Sequence, residues 1–289
     1  MTEMLLGVDL GTSSAKAVFF TSDGCLAASG SESYGIDSPH PRWAEQSPEV
    51  WWRAVLGSIR KASAAVTAPY RIRGIGLSGQ MHGLVCLDRA KNVLRPAIIW
   101  ADQRSGREAT EINDFLSERR LYDKTLNKAS SGFLLPSLLW VVRNEPAIAR
   151  EIAHVLLPKD YIRFRLPGDL APGSSEPGGT GVFAAAGGRW FDELLEYFSV
   201  SRHIMPPVLC SSACVGKLST DVADSLGLEA GIFIAAGAGD QAAQAVGNGL
   251  IAPGLASSNI GTAGQFFIAS EKPLYDSELR CNCFNHAHP

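Results

Sequence analysis

No apolar stretch among the 289 residues is long enough to cross a bilayer as a helix, and no long run of lysine and arginine occurs. The first absence argues against a membrane-spanning segment. The second, with a formal net charge of −3, argues against nucleic acid or an anionic membrane as the main partner. A small anion remains open, because backbone amides hold one without any mark on net charge. Cysteine is sparse and irregularly spaced (Cys25, Cys86, Cys210, Cys214, Cys281, Cys283), so no disulfide framework is expected. A secretory leader is not expected either, since Thr2-Glu3 opens the chain and the apolar run after it is short. The expected compartment is the cytoplasm. What is present is an apolar fraction of 46%, ordinary for a chain with a sizeable core, in a length that holds one large domain or two small ones.

Met4 to Asp9, Ala15 to Thr21 and Cys25 to Tyr34 read as strands separated by Gly11-Thr12-Ser13-Ser14 and Ser22-Asp23-Gly24, so the chain is expected to open with an antiparallel meander. Ser47-Pro48-Glu49 starts a helix that runs to about Ala65, with Ser47 as cap. Strands are predicted over Ile72–Leu77, Gly83–Asp88 and Pro96–Trp100, and helices over Gly106–Arg119, Leu134–Arg143, Pro146–His154 and Asp192–Phe198. Leu166 to Gly188, rich in Gly, Pro and Ser, is predicted to be a long loop with room for a small hairpin. A further helix is predicted over Ser219–Leu226 and a buried strand over Gly231–Ala236.

The residues after that strand, Gly237-Ala238-Gly239-Asp240, place a carboxylate where a strand ends and a helix begins. Such a group can accept a proton from a substrate hydroxyl, and it can equally cap the helix. The chain also repeats one pattern: strand, Gly-Thr turn, strand, at Gly11-Thr12 and again at Gly261-Thr262. A Gly-rich turn between strands exposes successive amides to an anion, and Thr12, Ser13 and Thr262 add hydroxyls. Asp9, at the end of the first strand, could hold Mg²⁺ beside bound phosphates; two ordinary hairpins and a solvated carboxylate explain the same pattern. Gly74-Ile75-Gly76-Leu77-Ser78-Gly79 has dinucleotide-fingerprint spacing, but a strand pattern rather than a helix follows it, so that reading is rejected. Gln80 and His82 then project from a strand end, where ligands bind in open sheets. Trp100-Ala101-Asp102-Gln103-Arg104 offers an aromatic face, a carboxylate and a guanidinium, groups suited to a polyhydroxylated sugar; Asp102 as a helix cap is the plainer alternative. Cys281, Cys283, His286 and His288 look like metal ligands, yet ligands so close together rarely complete a tetrahedral site alone.

Together these segments resemble the FGGY family of carbohydrate kinases. The matching stretches are Gly7 to Ser13, His40 to Gln46 with Trp51-Trp52, Gly79-Gln80-Met81-His82-Gly83, Trp100 to Arg104, Leu156-Leu157-Pro158-Lys159-Asp160-Tyr161, Gly237 to Asp240 and Gly261-Thr262. Asp9-Leu10-Gly11-Thr12 alone marks only the actin-like ATPase superfamily; Gln80 to Gly83 is the more specific, for a ketose of the xylulose type. The resemblance implies an α/β fold of ribonuclease-H-like lobes with a mixed sheet. It implies ATP-dependent phosphorylation of a ketose, D-xylulose first, with ribulose, gluconate or glycerol as other acceptors and a non-catalytic sugar sensor as the alternative class. It further implies Asp240 as general base and Asp9 as Mg²⁺ ligand. Gln80, Met81, His82, Trp100, Asp102 and Arg104 would line or support the sugar pocket, and Gly11, Thr12, Ser13, Gly261 and Thr262 would lie at the ATP phosphates.

Two stretches depart from the family pattern. Ser137 stands where a Lys is usual, and Gly173 and Glu176 stand where two Asp are usual; both bear on the sugar more than on the reaction class. Family members are longer. Residues 1–247 are therefore expected to form the sugar-binding lobe and residues 248–289 the opening strands of a second, ATP-binding lobe, in a truncated chain or gene fragment. Unpaired edges on those strands are an aggregation or homodimerisation hazard.

Overall fold

The computed structural model describes residues 1–167, 177–260, 264–274 and 276–288. β1 (Thr2–Leu10), β2 (Ser14–Thr21) and β3 (Leu26–Ser33) form the expected antiparallel meander. Alternation drives it: Met4, Leu6, Val8 and Leu10 point to one face and are buried, leaving Leu5, Gly7 and Asp9 on the other. β4 (Glu45–Gln46) leads into α1 (Pro48–Ala64), where Ser47 occupies the N-cap without a hydroxyl capping bond. α1 packs Trp51, Trp52, Val55 and Ile59 onto the meander. β5 (Tyr70–Gly79) then lies parallel to β1, aligning Asp9 with Ser78 and Leu10 with Gly79.

The middle of the chain builds a second core beside the sheet. This part of the chain runs through β6 (Val85–Leu87), β7 (Ala97–Ile98), α2 (Gly106–Glu118), α3 (Tyr122–Thr125), α4 (Leu134–Asn144), α5 (Pro146–Glu151), β8 (His154–Leu156) and α6 (Pro158–Arg165), whose Tyr161, Ile162 and Phe164 pack into the first core instead. Helical spacing extends α5 to His154, but His154–Leu156 pairs antiparallel with Val85–Leu87, and the strand pairing shortens the helix. β9 (Phe183–Ala184) and β10 (Arg189–Trp190) make the small hairpin foreseen in the long loop, and α7 (Asp192–Tyr197) closes this core around Trp190, Leu194 and Leu195.

β11 (Cys214–Lys217), α8 (Thr220–Leu226) and β12 (Phe233–Ala235) return the chain to the main sheet, β12 parallel to β5. β13 (Ala238–Gly239) pairs with the last two residues of β5 and runs straight into α9 (Asp240–Gly247). The main sheet thus has the order β11-β12-β5-β1-β2-β3, with β13 at the end of β5. It is mixed, parallel in its centre and antiparallel at both sides, a ribonuclease-H-like arrangement of the actin-like ATPase type. Last comes a separate antiparallel hairpin, β14 (Ala256–Ile260) and β15 (Gly264–Ile268). The first repeat and the second are therefore both hairpins; Gly261 and Thr262, the second turn, lie outside the described residues, as do Gly173 and Glu176. The second hairpin leaves Ile260, Phe266 and Ile268 exposed.

Candidate active site

β1, β5 and β13 end side by side, and this gathers the candidate residues. Asp9 and Asp240 line one open cleft of about 560 Å³ with Ser78, Gln241, Gln244, Asn259 and Gln265. Asp240 is the first residue of α9, with Gly239 at the N-cap, and its Oδ1 accepts the Gln241 amide at 2.7 Å. It is accessible to solvent at the cleft mouth, yet protein crowds it. Burial, and then the charge of Asp9, raise its carboxyl above the ordinary Asp value against the Gln241 bond, which lowers it. Asp9 Oδ1 is buried and has no hydrogen-bond partner among the described residues, a hard oxygen donor of the kind Mg²⁺ takes.

The first Gly-Thr turn is held from behind. Gly11 N–H donates to Ser14 O at 2.9 Å, and Tyr34 N–H donates to Ser13 O at 2.9 Å. The Tyr34 hydroxyl donates to Gly11 O at 2.6 Å, and burial and Asp9 push that phenol upward. Gln46 Nε2 donates to Thr12 O at 2.7 Å and Trp100 Nε1 to Thr12 Oγ1 at 2.9 Å. The amides of Thr12 and Ser13 bond no carbonyl among the described residues, which leaves them for an anion.

Gln46 orders the next layer. Its Nε2 also serves Gly35 O at 2.9 Å, so its Oε1 must be the acceptor, and it takes Trp51 Nε1 at 2.9 Å and Gln80 Nε2 at 3.1 Å. Trp51 can only donate, so both amide orientations follow from the network. Gln80 Oε1 is left buried without a partner among the described residues. Met81 is buried, and His82 takes a left-handed backbone (φ 76°) with its ring stacked on Phe133 at 4.2 Å and 7°. A non-glycine residue held there is the kind of local strain that collects at functional sites.

Trp100 is half exposed, and Gly132 packs against its backbone so closely that a Cβ would lie 2.4 Å from Trp100 O. Asp102 and Arg104 differ from the sequence expectation that they bond sugar hydroxyls. Asp102 is wholly buried: it accepts Ala44 N–H at 2.6 Å, Arg104 N–H at 2.8 Å and Arg104 Nη2 at 2.7 Å. Nor does it cap α2, whose N-cap is Ser105. The Arg104 side chain is 1% exposed, pairs with Glu45 at 2.7 Å, and places its guanidinium 3.6 Å from the Trp43 ring centre. Their polar atoms are thus occupied by groups inside the protein. Ser137, at the usual Lys position, is buried with an unpartnered hydroxyl. All six cysteines are free, and among the described residues no group of three or more His, Cys, Asp and Glu side chains is placed to hold a metal ion.

Sequence reasoning quoted Gln46, Glu45 and Trp43 without assigning them a place, and it missed Tyr34. Polar residues buried inside a Pro- and His-containing loop beside two tryptophans were the available signal.

Fold and site together define a sugar-kinase-like lobe of the actin-like ATPase type. The model of the FGGY family of carbohydrate kinases, N-terminal domain, matches residues 4–247, and the chain belongs to that family. The xylulose kinase of Klebsiella pneumoniae is 39% identical over 284 residues, covering 98% of this chain and 58% of that protein. That of Escherichia coli K12 is 39% identical over 286 residues, covering 99% and 58%. Among solved structures, a xyloylose kinase from Brucella ovis superposes with a TM-score of 0.91 at 38% identity, covering 99% of this chain and 59% of that one. The chain spans about 58% of the length of the curated relatives it matches.

Proposed function

We propose that this chain supplies the sugar-binding lobe and the first phosphate turn of an ATP:ketose phosphotransferase, converting D-xylulose to D-xylulose 5-phosphate. The observation that carries the reading is the cleft that Asp240, its carboxyl raised, shares with Asp9. In this reading Asp240 takes the proton of the terminal sugar hydroxyl as that oxygen bonds to the γ-phosphorus of ATP and the bond to the β-phosphate oxygen breaks, releasing ADP. A carboxyl moved upward is a better base near neutral pH than an ordinary Asp. Asp9 would hold Mg²⁺, which supplies charge neutralisation at the phosphates when bound. Gln80 Oε1 would accept a sugar hydroxyl, His82 would contact the sugar, and the exposed Trp100 face would carry its C–H side. The Thr12 and Ser13 amides would receive phosphate oxygens. Residues 1–247 form the sugar lobe in this reading. Residues 248–289, with the β14–β15 hairpin, open the second, and self-association through that exposed hairpin is the accompanying expectation. Six free cysteines support a cytoplasmic setting.

The named activity of the similar proteins supports the substrate, and binding tests it. D-xylulose at a hundredfold excess over its Kd should stabilise the chain by about 2.7 kcal/mol, read as a rise in Tm, against smaller rises with D-ribulose, L-ribulose, gluconate and glycerol. In the complete protein, Asp240→Ala should lower kcat by roughly 10²–10⁴-fold while sugar binding persists. Retained turnover overturns the base assignment, and a larger shift with another sugar moves the substrate.

A further inference from the structure

The stretch Leu156 to Tyr161 belongs to the family pattern, yet no step above uses it. Lys159 and Asp160 open α6 with 1% and 0% of their side chains exposed. Lys159 Nζ meets Asp160 Oδ1 at 2.6 Å, and Arg163 Nε reaches the same oxygen at 3.4 Å. Lysine is almost never buried unless paired, and taking the ion out of water costs several kcal/mol. Pairing with Asp160, which Arg163 shares, offsets part of that cost. It does not account for a second bond, from Lys159 Nζ to Ala236 O at 3.1 Å, which spans 77 residues of sequence.

Ala236 stands in the crossing from β12 to β13. Its amide donates to Ala213 O at 2.8 Å, and that of Gly237 to Ser211 O at 2.9 Å. Gly237 has φ 77°, and a Cβ there would lie 2.2 Å from Leu77 O, so the crossing is pressed against β5. Asp240 follows at the start of α9. The other end of the same lysine touches the sugar side: Lys159 Cβ lies 3.2 Å from where a Cβ on Gly79 would be, at the last residue of β5 before Gln80. One side chain therefore abuts both the strand end that presents Gln80 and the crossing that presents Asp240.

We propose that Lys159 is a positioning residue for Asp240: its ammonium, paired with Asp160, pins the Ala236 carbonyl and so sets the β13–α9 junction against the end of β5. The functional half of this inference rests on the reading of Asp240 as base; the structural half does not.

The test has one arm for each half. In the unsubstituted chain, native-state hydrogen exchange should show the Ala236, Gly237 and Tyr161 amides opening as one unit with the same denaturant dependence. Opening of 236–237 by itself, at lower free energy than Tyr161, overturns the clamp. Lys159→Met keeps the stem and removes the ammonium. It should raise exchange over residues 236–241 by at least about tenfold while β1 and β2 amides keep their rates. A uniform rise, or none, overturns it; if the variant does not fold, the first result decides alone. In the complete protein, Lys159→Met should lower kcat on the order of a hundredfold with the sugar KM within about twofold, the mark of a displaced base. A change in KM alone overturns the positioning role. Absence of sugar binding and phosphoryl transfer by the unsubstituted protein would refute the function while leaving the exchange result standing.

Discussion

The Arg104 side chain is 1% exposed and held by Asp102, Glu45 and the Trp43 ring, whereas Asp240 shares an open cleft with Asp9, whose charge adds to burial in opposing its ionisation. On the side proposed to take the sugar, ion pairs and amides satisfy one another, and outward groups such as Trp100 and Gln80 Oε1 remain for a ligand. The side proposed to take the phosphates has like charges facing and, among the described residues, an orphan carboxylate oxygen on Asp9 and two turn amides that bond no carbonyl. A wall that shapes a neutral sugar gains from rigidity. A site for a polyanion and a cation stores its electrostatic complement in the ligands, so it is strained without them. Substitutions on the sugar side should therefore act mainly on stability, and those on the phosphate side should stabilise where they remove charge.

The largest effect is expected at Arg104. Arg104→Met keeps apolar bulk between Trp43 and Trp140 but leaves Asp102 and Glu45 short of a buried cation; Glu45 retains Arg95 at 2.6 Å, while Asp102 has no second cation among its contacts. Breaking a buried pair from one side costs about 3–5 kcal/mol, measurable by urea denaturation. A loss below about 1 kcal/mol would place Asp102 and Arg104 among exposed pairs and return them to the ligand-contacting role the sequence suggested.

That contrast also marks how far the sequence could be read. The meander, α1 and the position of Asp240 were legible because their signals are local: alternation at Met4, Leu6, Val8 and Leu10, Pro48 at a helix start, and two glycines before a carboxylate. Trp100-x-Asp102-x-Arg104 was legible as a polar strand-end cluster, but its burial was not. What buries it is Trp43, Ala44, Glu45 and Trp140, brought in from other elements. The same limit hid Gln46 and Lys159, whose roles consist of bonds to Thr12, Gly35, Gln80 and Ala236. Local pattern reports chemistry type; only the fold reports whether a polar group faces a ligand or a neighbour.

A smaller effect is expected where the two sides meet. Trp100→Phe keeps an aromatic face and removes only the 2.9 Å bond to Thr12 Oγ1. Stability should fall by about 1 kcal/mol or less, since the indole is half solvated and one neutral hydrogen bond is lost. Binding of ATP phosphates should weaken more than binding of sugar, because the freed Thr12 belongs to the turn. Equal weakening of both, by calorimetric titration, would mean that the bond does not separate the two sides.

The smallest effect has the opposite sign. Asp240→Asn keeps an oxygen for the Gln241 amide and removes the charge that burial and Asp9 oppose. Because the folded-state value of Asp240 is raised, the native state binds its proton more tightly than the unfolded chain. Between the ordinary Asp value of about 3.9 and the raised one, the native state carries more protons, so stability falls as pH rises through that window. Below it, aspartic acid and asparagine are both uncharged and the two proteins should melt alike. Above it, Asp240→Asn should melt higher, and the gain should persist to neutral pH. Calorimetric Tm values of both proteins across pH 3 to 8 read this directly. A variant that melts lower at neutral pH would show that the carboxylate is stabilised where it stands, and the phosphate side would then be as finished as the sugar side.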